Sequence, residues 1–192
     1  MNVELEAIKY LSREELTQTA EGLDGAELGG LVETLASKDD GKRYGAFLLL
    51  LEYSEGWNGL YAYWDLFVEK MRNLNSYQRN IGLALLARNA KWDKQNKING
   101  CINLYLELCD DEKPVTVRQC IQNIKYILPY HIDLWEPVIQ KLLSVDISIR
   151  KETQRKLLYQ DIEAAFKVIA TEKPDSRMEA YLADNRKWAQ NR

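Results

Sequence analysis

Apolar residues recur along most of the chain with the spacing of an α-helix. They fall at i, i+3 or i+4, and i+7 or i+8, which places them on one side of a helix. The clearest examples are Ile121, Ile124, Ile127 and Leu128, followed by Leu134, Val138 and Leu142. We find no sustained alternation of period two, which a half-buried strand would require. The pattern therefore predicts an all-α fold.

The first and last helices have recognisable start signals. Ser12 and Glu15 form a capping-box pattern, in which Ser accepts from a backbone N–H and Glu reaches back. A second early helix is expected over residues 24–36, although the pair Gly29-Gly30 weakens it. Pro174-Asp-Ser is expected to open a last helix that extends to about residue 190.

Between these ends, the chain divides into helix pairs joined by short connections, which favours antiparallel neighbours. The first helix of each pair is predicted at 58–72, 95–109, 132–144 and 161–171. The second helix is predicted at 41–54, 76–89, 115–128 and 148–159. Asn58, Asn75 and Ser148 are candidate N-caps, because their side chains can accept a hydrogen bond from an unpaired N–H.

Four arginines recur where the second helices begin. Arg43, Arg79, Arg118 and Arg150 are separated by 36, 39 and 32 residues. A period of this length, filled by two helices, is typical of helical repeat arrays. We expect each arginine to lie in the first turn of its helix. Its guanidinium would bond to a carboxylate or carbonyl of the preceding turn.

The candidate partners are acidic residues just upstream. They are Asp40 for Arg43, residues 110–112 for Arg118 and Asp146 for Arg150. The alternative, a series of arginines that binds a ligand, stays open at this point.

These turns resemble HEAT-like repeats, which have Asp or a similar residue in the turn and Arg at the start of the second helix. The best matches are residues 143–150 and 110–118, and the resemblance covers about residues 37–172. It implies an α-α superhelix, an armadillo-type solenoid of about four helix pairs. Residues 1–36 and 173–192 would cap it, so that residues 1–192 form one domain.

A narrower resemblance extends over residues 75–120. The segments 75–79, 90–98 and 111–120 look like a small HEAT-like family common in Firmicutes, sometimes given an iron–sulfur assembly (SufBD-type) label. Proteins of that assembly scaffold resemble β-helices, whereas this chain is predicted to be helical and lacks clustered cysteines. The resemblance therefore implies a fold and no particular activity.

Composition and charge limit the partners. Hydrophobic residues make up 46% and charged residues 29%, as in ordinary soluble proteins. No apolar run approaches the ~20 residues of a membrane span, and the N-terminus lacks a signal-peptide pattern, so a cytoplasmic protein is expected. Residues 1–75 contain 7 basic and 14 acidic residues, and residues 76–158 contain 13 and 9. A nucleic-acid partner is not expected without a stronger basic footprint.

The residues that could bind a metal are few. Cys101, Cys109 and Cys120 lack the paired spacing of zinc sites, and buried thiols in the core are the expected outcome. The single histidine, His131, follows Pro129-Tyr130 and is expected in a turn or at a helix start. We therefore predict no metal and no cofactor.

The favoured function is non-catalytic binding of a protein or peptide on the inner surface of the repeats, by analogy with the fold. The polar candidates are Arg79, Gln119, Gln122, Asn123 and Lys151. Trp57, Tyr61 and Trp64 share one helical face and belong either to the core or to an exposed binding patch. No phosphate loop, metalloprotease or nucleophile-elbow motif is present, and no catalytic residue is predicted.

One enzymatic alternative comes from a resemblance to HEAT-like DNA-alkylation-repair glycosylases, which use Trp and Asp in a basic groove. Trp92 and Asp93 are the residues that would match. The acidic composition disfavours this alternative, because such an enzyme needs many phosphate contacts. In the structural alternative, Asp93 caps the next helix and Trp92 packs in the joint between repeats.

Overall fold

The computed structural model describes residues 4–189, and these residues contain helices and connecting turns but no strand. The predicted all-α class is confirmed. The chain forms two compact units, Met1–Lys94 and Gln95–Arg192, which are described separately below. None of the helices within residues 4–189 is both long enough and apolar enough to cross a membrane.

The first unit contains five α-helices. They are α1 (Arg13–Glu21), α2 (Gly25–Thr34), α3 (Asp40–Gly56), α4 (Trp64–Met71) and α5 (Ser76–Asn89). Short 3-10 helices precede α1 and α4 and follow α5. They are Leu5–Tyr10, Gly59–Tyr63 and Ala90–Trp92.

Local side-chain chemistry starts most of these helices. The Ser12 hydroxyl accepts from the Glu15 N–H and the Glu15 carboxylate accepts from the Ser12 N–H, so the predicted capping box is confirmed. Asn75 caps α5 as predicted, accepting from the Tyr77 N–H at 2.9 Å. The N-cap predicted at Asn58 is wrong, because its side chain caps nothing and residues 59–63 form a 3-10 turn.

The pair α4 and α5 packs closely because one position is glycine. A Cβ on Gly82 of α5 would lie 2.6 Å from the carbonyl oxygen of Phe67 on α4. The absence of a side chain lets the two backbones approach. Phe67 and Leu83 are fully buried beside this crossing, in the apolar core of the first unit.

The second unit also contains five α-helices. They are α6 (Ile102–Glu107), α7 (Pro114–Ile124), α8 (Trp135–Leu143), α9 (Glu152–Ala170) and α10 (Ser176–Asn185). The 3-10 helices of this unit are Lys97–Gly100, Leu108–Asp110, Ile132–Leu134 and Arg186–Ala189. Pro114 lies in the first turn of α7, where its missing N–H costs nothing.

Two predicted helices are in fact one. Residues 148–159 and 161–171 were expected to be separate, but α9 is continuous over 19 residues. The buried positions Leu158, Ile162 and Ile169 continue one stripe through the supposed break. The cap predicted at Ser148 is also wrong, because its N–H and hydroxyl both donate to Asp146 within a turn.

The helix predicted at 95–109 is interrupted where its sequence is weakest. The turn Lys97–Gly100 ends at Cys101, which has φ −129°, and α6 begins only at Ile102. Asn96, just upstream, has a positive φ of 55°, which Asn tolerates better than most residues. The interruption follows directly after the Asn99-Gly100 pair, and glycine is a poor helix former.

Candidate functional site

The two repeat arginines of the first unit have the predicted geometry. Arg43, in the first turn of α3, donates to the Ser37 carbonyl at 2.8 Å and to the Asp40 carboxylate at 2.6 Å. Arg79, at the same place in α5, donates to the carbonyls of Asn73 and Leu74, each at 2.9 Å. Both guanidiniums therefore bond to the turn before their own helix, and these are the contacts that the sequence predicts.

Arg118, in the second unit, has a different partner from the one predicted. Its Nε donates to Asp161 Oδ2 at 2.6 Å and a terminal nitrogen to Oδ1 at 3.3 Å. The prediction of a bond to residues 110–112 is wrong. Asp110 instead pairs with Lys141, and Glu112 pairs with Lys113. Because Asp161 lies on α9, Arg118 links two helices rather than a helix and its own turn.

Arg150 does not lie in a helix, so the predicted position is wrong. It precedes α9, in the turn where Asp146 already accepts from Ser148. Its Nε is buried and has no hydrogen-bond partner, while its carbonyl accepts from Arg155 Nε at 2.7 Å. Of the four arginines, two therefore have the predicted contacts and two do not.

The aromatic residues predicted as core or binding patch are mainly core. Trp64 is 1% exposed, so an exposed role is wrong for this residue. Tyr61 is half-buried, and its hydroxyl donates to Asp93 Oδ1 at 2.6 Å. Trp57 is half-buried and packs on Tyr53 with ring centroids 5.5 Å apart. These rings stabilise the first unit rather than offering a continuous surface.

Three of the five polar candidates reach the surface. Arg79 and Asn123 are buried, and the Asn123 amide donates to the Gln119 carbonyl at 2.8 Å. Gln119 and Gln122 are partly exposed on α7, and Lys151 is exposed just before α9. The second unit therefore contains all of the predicted polar candidates that remain accessible.

Trp92 and Asp93 are used for packing within the first unit. Asp93 is 5% exposed, and its Oδ1 accepts from the Tyr61 hydroxyl at 2.6 Å. The Trp92 indole N–H donates to the Ser54 carbonyl at 3.2 Å, and the Lys91 ammonium lies 5.3 Å from the ring centroid. The geometry places this tryptophan against α3.

Two of the three cysteines form a buried pair. Cys109 Sγ and Cys120 Sγ are 3.4 Å apart, and Cys120 Sγ donates to the Tyr105 carbonyl. Burial raises the pKa of the Cys120 thiol well above its usual value, with the hydrogen bond to Cys109 adding to the effect. Both thiols lie buried in the core, as predicted. His131 is 3% exposed in a turn, and residues 4–189 show no group of three metal-binding side chains.

A buried lysine was not anticipated from the sequence. Lys70 lies on α4 between the buried residues Phe67 and Met71, and it is 8% exposed. Its ammonium donates to Gln78 Oε1, and the Gln78 amide donates to the Leu35 carbonyl at 2.8 Å. Burial lowers the pKa of Lys70. The apolar spacing of its neighbours was the only sequence signal for this position.

A surface groove lies between α7 and α9, in the second unit. It has a volume of about 230 Å³. The residues that line it are Ile121, Gln122, Lys125, Asp161, Ala164 and Ala165. Its polar rim is organised by Asp161, which accepts from Gln122 at 2.8 Å as well as from Arg118. The groove therefore combines apolar walls, a fixed carboxylate and an exposed cation.

A scan against models of protein families, a search of curated proteins and a search of solved structures each find nothing that matches this chain.

Proposed function

We propose that this protein is a non-catalytic binding module that holds a protein or peptide segment in the α7–α9 groove. The observation that carries the proposal is the groove itself, with apolar walls from Ile121 and Ala165 and polar groups at its rim. A peptide can place an apolar side chain between the helices while its amides bond at the rim.

The size of the groove favours a peptide over a small molecule. At about 230 Å³, it is smaller than the ~300–1,000 Å³ of typical small-molecule pockets. It has room for one or two side chains of a longer partner that continues across the surface.

The chemistry of the groove also favours binding over catalysis. The Asp161 carboxylate is held by Arg118 and Gln122, which restricts it as a general base. The neighbouring groups, Gln122 and Lys125, do not form a nucleophile with an adjacent base. The arrangement can orient a ligand but offers no route for activating one.

The finer architecture in this proposal is a HEAT-like α-α superhelix. It is supported by the helix pair α4–α5 and by the turn contacts of Arg43 and Arg79. In such arrays, binding commonly uses surfaces built by successive helices, as the groove between α7 and α9 would.

The test is a selection of peptides from a random displayed library on the intact protein, followed by affinity measurements with two variants. Ala164→Trp fills the groove, whereas Ala183→Trp adds the same side chain at an exposed position of α10. We expect at least a tenfold loss of affinity with the first and none with the second. Equal affinities for both variants, or release of alkylated bases from duplex DNA by the protein, would contradict the proposal.

A further inference from the structure

A basic surface surrounds the start of α9. We call it the α9 basic surface, and it consists of Arg150, Lys151, Arg155, Lys156, Arg186 and Lys187. The chain as a whole has a net charge of −3, whereas this surface is locally positive. It lies at one end of α9, whereas the α7–α9 groove lies further along the helix.

Three contacts fix the geometry of this surface. Arg155 Nε donates to the Arg150 carbonyl at 2.7 Å, and its guanidinium lies 4.6 Å from the centroid of the Trp188 ring. The Lys187 ammonium lies 5.0 Å from the same centroid. Trp188 therefore holds the segment Arg186–Ala189 against the first turns of α9.

Several of these cations are not neutralised. Lys151, Lys156 and Arg186 are exposed, and no carboxylate among residues 4–189 forms an ion pair with them. Glu152 is the one acidic residue in the first two turns of α9. The N-cap of the helix makes no side-chain hydrogen bond, so the positive end of the helix dipole adds to the field.

Exposed apolar side chains accompany the cations. Ile149 is 72% exposed in the turn before α9, and Leu157 is 40% exposed in its second turn. Exposed apolar groups beside concentrated charge are a feature of protein-binding sites. A matching ligand needs both negative charge and apolar side chains.

From this combination we propose that the α9 basic surface binds an acidic peptide segment of a partner protein that also carries apolar side chains. Charge complementarity supplies the attraction, and Ile149 and Leu157 give the apolar contacts. A nucleic acid satisfies the charges but leaves those two side chains uncovered. Arg155 and Lys187 already lie over the Trp188 ring, which makes that ring a poor platform for stacking a base.

The test uses a fluorescent synthetic peptide that alternates Glu with Leu or Phe, with binding followed by anisotropy. The informative variant is Lys151→Glu with Lys156→Glu, because both side chains are exposed. The matched control is Lys38→Glu with Lys94→Glu, which changes the net charge equally at exposed positions of the first unit. We expect at least a tenfold loss of affinity with the first variant, less than twofold with the control, and weakening by salt.

Further arms separate this proposal from the alternatives. A peptide with Gln in place of Glu, and one with Ser in place of Leu and Phe, should each bind at least tenfold more weakly. The groove variant Ala164→Trp should leave this binding unchanged, so the two proposals can fail separately. Three results would overturn the proposal. The first is equal affinity of the two charge variants for the peptide, and the second is tighter binding of duplex DNA or of a dT oligonucleotide than of the peptide. The third is self-association of the protein that Lys151→Glu with Lys156→Glu abolishes.

Discussion

The two units use the same recurring arginine in different ways. In the first unit, Arg43 and Arg79 donate to carbonyls within six residues upstream. In the second unit, Arg118 donates to Asp161, which is 43 residues away, and Arg150 has a buried Nε without a partner. One sequence pattern thus corresponds to a local cap in one unit and to a helix-to-helix link in the other.

The difference follows from what each preceding turn offers. The turns before α3 and α5 present carbonyls to the first turn of the next helix, and a guanidinium can bond to two of them at once. Before α7, the carboxylate of Asp110 is engaged by Lys141, and the buried Asp161 on α9 offers both of its oxygens to Arg118. A buried carboxylate that lacks a cation costs more free energy than the carbonyls of an exposed turn that lack one. Arg118 therefore pairs with the distant group.

The largest effect is expected at the long-range link. Arg118→Ala leaves Asp161, which is 9% exposed, with Gln122 as its main remaining donor. Removing one member of a buried ion pair costs ~3–5 kcal/mol. We expect a value near ~3 kcal/mol, because the Arg118 side chain is 31% exposed and solvent screens the pair. Urea denaturation measures the loss.

The matched control for this variant is Arg72→Ala. Arg72 forms an exposed pair with Glu69 at 3.4 Å, and its removal should change the free energy of unfolding by less than ~0.5 kcal/mol. If both variants unfold with the parent, Arg118–Asp161 is not a structural link and the contrast between the units fails.

The next effect concerns the local caps. Arg79→Ala removes the donor for the carbonyls of Asn73 and Leu74, and we expect a loss of ~2 kcal/mol. Hydrogen exchange should show the loss as faster opening of the first turn of α5. A uniform increase in the exchange rates across the first unit, with no larger increase in that turn, would argue against a local cap.

The sequence allowed the helix starts to be predicted where the signal is local. Ser12 and Asn75 accept from N–H groups two or three residues ahead, so the interacting atoms are contained in a few adjacent residues. Ser148 shows the same chemistry in a competing arrangement, since its N–H and hydroxyl bond to Asp146 instead. The break predicted at residue 160 is a separate error, because the buried residues Leu158 and Ile162 continue one apolar stripe across it.

The candidate site was much less predictable, because it depends on which helices become neighbours. Nothing near Arg118 in sequence indicates Asp161, and nothing near Trp64 distinguishes its full burial from the half-burial of Trp57. Amphipathic side chains such as Trp occur both in buried cores and at partly exposed surfaces. Periodicity identified the core faces, whereas the groove between α7 and α9 required the packed structure.

A smaller effect is expected at Gln122. The surface position expected from sequence would make Gln122→Ala neutral, but its amide donates to Asp161 at 2.8 Å. We therefore expect a loss of ~1 kcal/mol, the usual net value of one hydrogen bond. Gln160→Ala, at an exposed position of α9, is the control and should melt with the parent. Equal melting temperatures for the two variants would show that the amide adds nothing to the Arg118–Asp161 pair.

The smallest effect is expected at Arg150, which has the sequence position of a repeat arginine but does not make the predicted side-chain contacts. Arg150→Met keeps a long side chain in the small cavity lined by Pro114, Val117 and Leu158, and it removes a buried Nε that has no partner. Unsatisfied buried donors are costly, so the free energy of unfolding should change by less than ~0.5 kcal/mol or rise slightly. Urea denaturation of this variant and of Arg118→Ala under the same conditions compares their free energies of unfolding. A loss as large as that of Arg118→Ala would mean that Arg150 does stabilise the second unit, and that the four arginines share a role after all.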